Sequence, residues 1–493
     1  MKPIALAVVA LSVVPIPMQA GTLESRVDEI RERMDVPGLS VSAVHRGEIV
    51  LMHGSGVRRA GQEGQVTPRT RFALASITKS LTALALASAV AHGELSWSDR
   101  LHDRVEGFVM KTPEATLGAT IDHVVSHRTG MGYGGLLGLH PPYDRRELVT
   151  RLDRVDVIAP LGATYSYNNL IYSALGLVFE DGFDQTWEQA IESRILVPLQ
   201  MTRTTPFGGD PTWTDVASPH AVRDGRWEPK PGHGRAAHGP VAIGPASSAV
   251  STAEDMAKLM LALLSEDAMR PLLVDTAGAR AQIRPSDRGW MRSAFPGADL
   301  FAYGRGWFLA SREGKRVVYH PGGGGGTAAL LLLMPDDDFG VTILSNNNDY
   351  AAIFAVAHTV ADNVLGVDGP EWATRLESLK SDTEQAWADI QAVVSGRPAD
   401  PHPPLALASY AGTYEHEVYG PVEIELEDGR LTFRRGAMTG ELEHWDRDSF
   451  LLTLPSSMYL YDFITFTVGI DRRPMALMVW DEAGFVASSA DGH

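Results

Sequence analysis

From Leu23 to Asn363 short apolar runs alternate with amphipathic stretches, which predicts an α/β or α+β domain. The run GLSVSAVHRGEIV reads as two strands joined by a turn at Arg46-Gly47. In FALASITKSLTALALASAVAHGEL the apolar residues cover most faces of a helix that ends at Gly93. Such a helix belongs in the interior of a domain. The runs TAALLLLMP and FGVTILSN read as core strands.

From Glu371 to Val394 the period changes. Leu376, Leu379, Thr383, Ala386, Ile390 and Val393 recur at helical spacing with charges between them. The prolines of SGRPADPHPP, residues 395–404, then forbid regular structure and mark a linker. Beyond it the period becomes two. Val422, Ile424 and Leu426 alternate with Glu423, Glu425 and Glu427, and Asp428-Gly429 turns the chain towards Leu431 and Phe433. Residues 405–493 are therefore expected to form a small all-β domain, a half-barrel or barrel, with Tyr410, Tyr414, Tyr419 and Trp445 read as core ahead of a binding face for substrate or wall. The expected division is 1–20, 21–365, 366–404 and 405–493.

Composition narrows the function. The formal net charge is −18 without a long acidic run, which disfavours nucleic acid and anionic membrane surfaces as partners. There is no cysteine, so disulfides, thiolate metal sites and a cysteine nucleophile are excluded. Lys2, the apolar stretch Ile4 to Val14 and the small residue Ala20 describe a cleavable secretory signal peptide. The stretch is shorter than the ~20 residues that span a bilayer, and Pro15 and Pro17 follow it. A periplasmic or secreted protein is expected, with no stable membrane insertion after cleavage.

Three short motifs carry chemistry. Ser76 and Lys79 are three residues apart on the buried helix, close to one turn, so the amine can sit beside the hydroxyl. A serine needs a base to become a nucleophile, and apolar surroundings lower a lysine's pKa enough for that task. Tyr167-Asn168-Asn169 follows Pro160-Leu161-Gly162 and precedes a helix, offering a phenol for proton transfer and an amide for orientation. His320-Pro321-Gly322-Gly323 ends the strand KRVVYH, and its glycines let backbone approach a substrate. Pro321, lacking an N–H, suits an edge strand beside a cleft.

In this order and at these separations the motifs resemble the S-x-x-K, Y-x-N and K-T-G or H-x-G set of penicillin-binding-protein and class C β-lactamase serine hydrolases. The segments VVSHRTGM, PASSAVSTAEDMAKLMLALL and YGRGWFL resemble connecting segments of that family, and the likeness covers residues 23–365. The tail resembles a lipocalin-like accessory domain. The resemblance implies an antiparallel sheet flanked by helices, with an all-helical subdomain. It implies Ser76 as nucleophile, Lys79 as its partner base and Tyr167 as proton carrier to the leaving group, with either Lys79 or Tyr167 as the principal base. It places Asn169, His320, Gly322 and Gly323 around the substrate, with the N–H groups of Ser76 and Gly323 as oxyanion hole. Where the β-lactamases have lysine this chain has His320, mostly neutral at pH 7, which weakens recognition of a substrate carboxylate.

The expected activity is hydrolysis of amides of small or cell-wall-related peptides, D-residues included. A carboxylesterase is the second reading and a β-lactamase the third. A silent binding protein is the reading from another class, and intact Ser76, Lys79, Tyr167 and His320 oppose it. The partner is a small-molecule or peptide substrate, no cofactor is implied, and a homo-oligomer is left open. His233 and His238 in a glycine loop read as solvated rather than metal ligands. Gly322–Gly326 lacks the lysine of a phosphate loop, and Asp336–Asp338 reads as a hairpin tip.

Overall fold

The computed structural model describes residues 22–132, 143–207, 213–223, 226–230, 241–377, 392, 396–402, 404–416, 419–436, 438–454, 461–479 and 483–487. The signal peptide, the loop with His233 and His238, and most of the helix expected from Glu371 to Val394 lie outside the described residues. The chain divides into two compact units, Met1–Tyr133 with Arg145–Lys380, and Gly134–Asp144 with Ser381–His493.

The first unit is built on an eight-stranded sheet. Its strands are β1 (Gly38–His45), β2 (Glu48–Gly56), β3 (Ala281–Gln282), β4 (Phe301–Tyr303), β5 (Phe308–Arg312), β6 (Lys315–Gly324), β7 (Thr327–Met334) and β8 (Phe339–Ser345). Across the sheet the order is β2-β1-β8-β7-β6-β5-β4-β3, antiparallel throughout. Arg46 and Gly47 both have positive φ, 51° and 81°, the backbone that a two-residue hairpin turn requires.

Helices cover both faces because successive side chains in β8 point opposite ways. Val341 and Ile343 pack in a cluster with Phe354 and Val356 of α5 (Tyr350–Leu365), whereas the Thr342 hydroxyl meets Met260 of α4 (Ala253–Leu264). The helix α1 (Leu23–Arg33) joins α5 through Val27 and Ile30. Helices dominate the described residues between 78 and 264, with α2 (Thr78–Ala91) buried from Thr78 to Ala87 and α3 (Tyr172–Phe183) buried from Tyr172 to Phe179.

Two local readings change. The expected helix does not begin at Phe72. Phe72–Ala73 pairs with Val250–Ser251, a short 3-10 turn spans Ala75–Ile77, and α2 starts only at Thr78. The cause is Ala75, whose φ of 45° cannot continue a right-handed helix. The other end is as expected. Gly93 has φ 74°, its N–H donates to Val90 O and that of Glu94 donates to Ala89 O, the paired bonds of a glycine-terminated helix. Secondly, β6 is internal rather than an edge. Its pairing with β5 stops at Tyr319, so His320–Gly324 pair with β7 alone among the described residues, and Pro321 sits in that half-open stretch. The Asp336–Asp338 tip is held by ion pairs from Lys315 to Asp337 and from Arg270 to Asp338.

The second unit holds a closed barrel of eight antiparallel strands, β9 (Gly412–His416), β10 (Gly420–Glu427), β11 (Arg430–Arg435), β12 (Met438–Asp446), β13 (Ser449–Thr453), β14 (Tyr461–Val468), β15 (Pro474–Val479) and β16 (Ala483–Ala487). Closure comes from β9 with β16, Tyr414 facing Ala487. Val422, Ile424, Leu431 and Phe433 point inward with Tyr410 and Tyr414, and Tyr419 packs against them. Trp445 is half-buried against Phe463. The alternating glutamates face out.

Candidate active site

Ser76 lies on the strained turn that opens α2. Ala75 before it occupies the left-handed region, which a non-glycine residue adopts only when its surroundings enforce it. Here Leu74 N–H is tied to Ala249 O and Thr78 Oγ1 accepts from Ala249 N–H, so the turn is clamped to residue 249 from both sides. Ser76 stays partly exposed while Lys79, one turn later, is fully buried.

Lys79 Nζ lies 3.3 Å from Ser76 Oγ, 2.6 Å from Asn169 Oδ1 and 3.0 Å from Ala246 O. It also stands 4.7 Å from the centroid of the Tyr167 ring. No carboxylate is among these partners, and burial holds the Lys79 pKa well below the usual lysine range.

The Tyr167 loop is pinned by its neighbours. Asn168 is buried; its Oδ1 accepts from Leu170 and Ile171 N–H at 2.8 and 3.2 Å, and its Nδ2 donates to Gly132 O at 2.7 Å. That side-chain turn leads the chain into α3. Tyr167 and Asn169 on either side are left partly exposed. The Tyr167 ring lies nearly parallel to that of Phe308, with centroids 6.3 Å apart.

On β6 the close approach to Ser76 is made by glycine. A Cβ on Gly322 would lie 2.1 Å from Leu74 O and 3.1 Å from Ser76 N, and one on Gly323 would lie 2.1 Å from the Tyr350 hydroxyl. His320 is buried inside the wall, 0% exposed. Its Nδ1 donates to Pro321 O at 2.7 Å, and its Nε2, 3.1 Å from the Tyr303 hydroxyl, accepts from it. Both nitrogens are thus engaged by protein. Burial, and then Lys79, push its pKa down to about 3, so it is neutral. The geometry gives His320 no free polar atom for a substrate, contrary to the role carried by the resemblance.

Four contributors were not singled out from the sequence. They are the Ala246 carbonyl, Tyr303, Tyr350 and His127, whose ring centroid lies 4.3 Å from that of Tyr167. His127 and Tyr303 sit in VVSHRTGM and YGRGWFL, segments whose resemblance marks no individual residue. Ser76, Lys79, Tyr167, Asn169 and Gly322 converge on one place, and Gly323 follows Gly322 along β6. Among the described residues no group of three or more carboxylates and histidines could hold a metal ion.

Comparison with known proteins identifies the family. Residues 24–365 match the Beta-lactamase family, and residues 396–485 match a domain of unknown function, DUF3471. The chain is 25% identical to an unguisins hydrolase of Aspergillus violaceofuscus over 83% of this chain and 78% of that one. It is 30% identical to the esterase EstB of Burkholderia gladioli over 44% of this chain and 62% of that one. Among solved structures, the octameric penicillin-binding protein homologue from Pyrococcus abyssi superposes with a TM-score of 0.60 at 20% identity, covering 94% of this chain and 99% of that one. The chain belongs to the β-lactamase family and is a serine hydrolase.

Proposed function

We propose that the protein forms an acyl-enzyme on Ser76 and cleaves amide bonds of small peptides, D-residue-containing or cell-wall-related ones included. The observation that carries this reading is the environment of Lys79. A neutral amine has two hydrogens and one lone pair. Asn169 Oδ1 and Ala246 O, the two nearest acceptors, take the hydrogens, and the lone pair is left for the Ser76 hydroxyl 3.3 Å away. That is the disposition of a general base.

In the first step Ser76 Oγ bonds to the acyl carbon as its proton passes to Lys79 Nζ, and the carbonyl π electrons move onto oxygen. The N–H groups of Ser76 and Gly323 receive that oxyanion, an interaction of roughly 3–4 kcal/mol in comparable sites. The C–N bond then breaks as Tyr167 hands a proton to the departing amine, and Tyr167 recovers it from Lys79. Water repeats the sequence on the ester of Ser76, releasing the acid. The half-open stretch His320–Gly324 offers backbone to an extended acyl donor. His320, neutral and enclosed, offers no charge to a substrate carboxylate, which supports amide and ester cleavage ahead of β-lactam hydrolysis. Ester hydrolysis is the second reading, supported by the 30% identity with the esterase of Burkholderia gladioli. The leader-like start, Lys2 with Ile4 to Val14 and Ala20, supports a periplasmic or secreted site of action.

The test is a matched panel of peptide p-nitroanilides in D and L series, p-nitrophenyl esters and nitrocefin. Amide turnover in the parent that disappears in Ser76→Ala supports the proposal. Ester turnover alone, with every amide inert, would move the esterase reading to the front.

A further inference from the structure

We propose that His127 is a positioning residue for Tyr167, holding the phenol in line with Lys79 through a neutral imidazole; the inference rests on the reading of Tyr167 as proton carrier. Residue 127 grips the Tyr167 loop on both sides. Its backbone carbonyl accepts from Ser166 N–H at 2.9 Å, and its ring Nδ1 accepts from Asn168 N–H at 3.2 Å. The residue between those two donors is Tyr167, and the His127 ring lies against its ring at 4.3 Å between centroids.

An imidazole nitrogen that accepts a backbone N–H carries no proton, so the hydrogen is on Nε2. Nε2 is buried with no hydrogen-bond partner among the described residues. The rings of Tyr165, Tyr167, Tyr172 and Tyr303 surround the imidazole instead, with centroids between 4.3 and 5.9 Å from its own. A polar atom left unpaired in a protein interior is a cost that a purely structural residue such as phenylalanine would avoid. Burial, with Lys79 and His320 near, holds the His127 pKa well below the usual histidine range, which keeps Nδ1 available as an acceptor. The backbone adds a further sign of constraint. His127 has φ 55°, in the left-handed region. The mechanism above uses none of these features, yet they all bear on where the Tyr167 oxygen points.

Two substitutions separate the hydrogen bond from the ring. His127→Asn keeps an acceptor near the Nδ1 position and tolerates the left-handed backbone, but removes the ring. His127→Phe keeps a ring and removes the acceptor. Each variant and the parent are titrated with a fluorophosphonate to count competent Ser76 sites, and kcat and KM are measured per site on the best substrate of the panel. His127→Phe is expected to lose on the order of 10²-fold in kcat, the scale of a displaced catalytic group, with KM within about twofold. His127→Asn is expected to stay within about tenfold of the parent. Parent-like kcat in His127→Phe, or an equal loss in His127→Asn, would overturn the proposal. If His127→Phe does not fold, His127→Asn decides alone: retained kcat supports it, and a hundredfold loss refutes it. A parent that takes up no label would instead refute the acyl-enzyme reading on which it rests.

Discussion

At the scale of single residues, Lys79 is the side chain on which the proposed chemistry turns. Burial lowers its pKa and so favours the neutral amine that a base requires, and its two close acceptors orient that amine. Lys79→Arg tests this, because a guanidinium donates hydrogen bonds as well as an ammonium does but does not deprotonate. The expected loss in kcat/KM is roughly 10²–10⁴-fold, the range of general base catalysis, with the chain still folded by circular dichroism. Retained turnover in that variant would show that another group takes the serine proton. Gly322 makes a complementary case. A methyl there would run into Leu74 O at 2.1 Å, a backbone atom that cannot move without shifting Ser76. Gly322→Ala should destabilise the chain by about 1–3 kcal/mol in urea unfolding and abolish labelling of Ser76. That Lys79 and Gly322 come together with Ser76 was legible from spacing and chemistry. The enclosure of His320 was not, because a two-residue period gives the face of a strand and not the depth of the wall behind it. His127 escaped notice for a similar reason. Its role depends on Ser166 and Asn168, and a residue some forty positions away leaves no mark in local periodicity.

At the scale of elements, helix α2 shows which signals act locally. Its C-terminus was readable because glycine is the residue that accepts φ 74° there without strain. A Cβ on Gly93 would meet nothing within 4 Å, so substitution isolates the conformational term. Gly93→Ala should therefore cost about 1–2 kcal/mol through the left-handed backbone alone and leave kcat unchanged. An unchanged urea midpoint would show that the cap contributes nothing. The N-terminus was misread because alanine at 75 carries no outward sign of a positive φ. Tertiary clamps at Ala249 impose that geometry, and with it the placement of Ser76. The β1–β2 hairpin was legible from Arg46-Gly47, whereas closure of the barrel was not. Alternation gives strands, but the pairing of β9 with β16 joins residues some seventy positions apart.

At the scale of the molecule, the buried histidines set a pH signature. His320 and His358 are both neutral in the fold, each with its pKa pushed down to about 3 by burial first. His358 donates to Ala294 O at 2.8 Å and stacks on Trp372. In the unfolded chain a histidine titrates near 6.5. Between that value and about 3 the unfolded state binds more protons, so stability falls as pH falls through this window and is flat above it for these groups. Lys79, lowered from the lysine range, acts with the same sign at higher pH. The melting temperature should drop between pH 6.5 and 3, and His358→Phe should make that drop shallower even if it melts earlier at pH 7. A parallel curve for the variant would show that His358 does not titrate as its burial implies.

The most direct measurement on the central claim is the intact mass of the protein, and of Ser76→Ala, after incubation with a fluorophosphonate probe. One adduct on the parent and none on the folded variant is the expected result and makes Ser76 the nucleophile. A folded parent that remains unlabelled, or a variant labelled as fully as the parent, would contradict the acyl-enzyme mechanism.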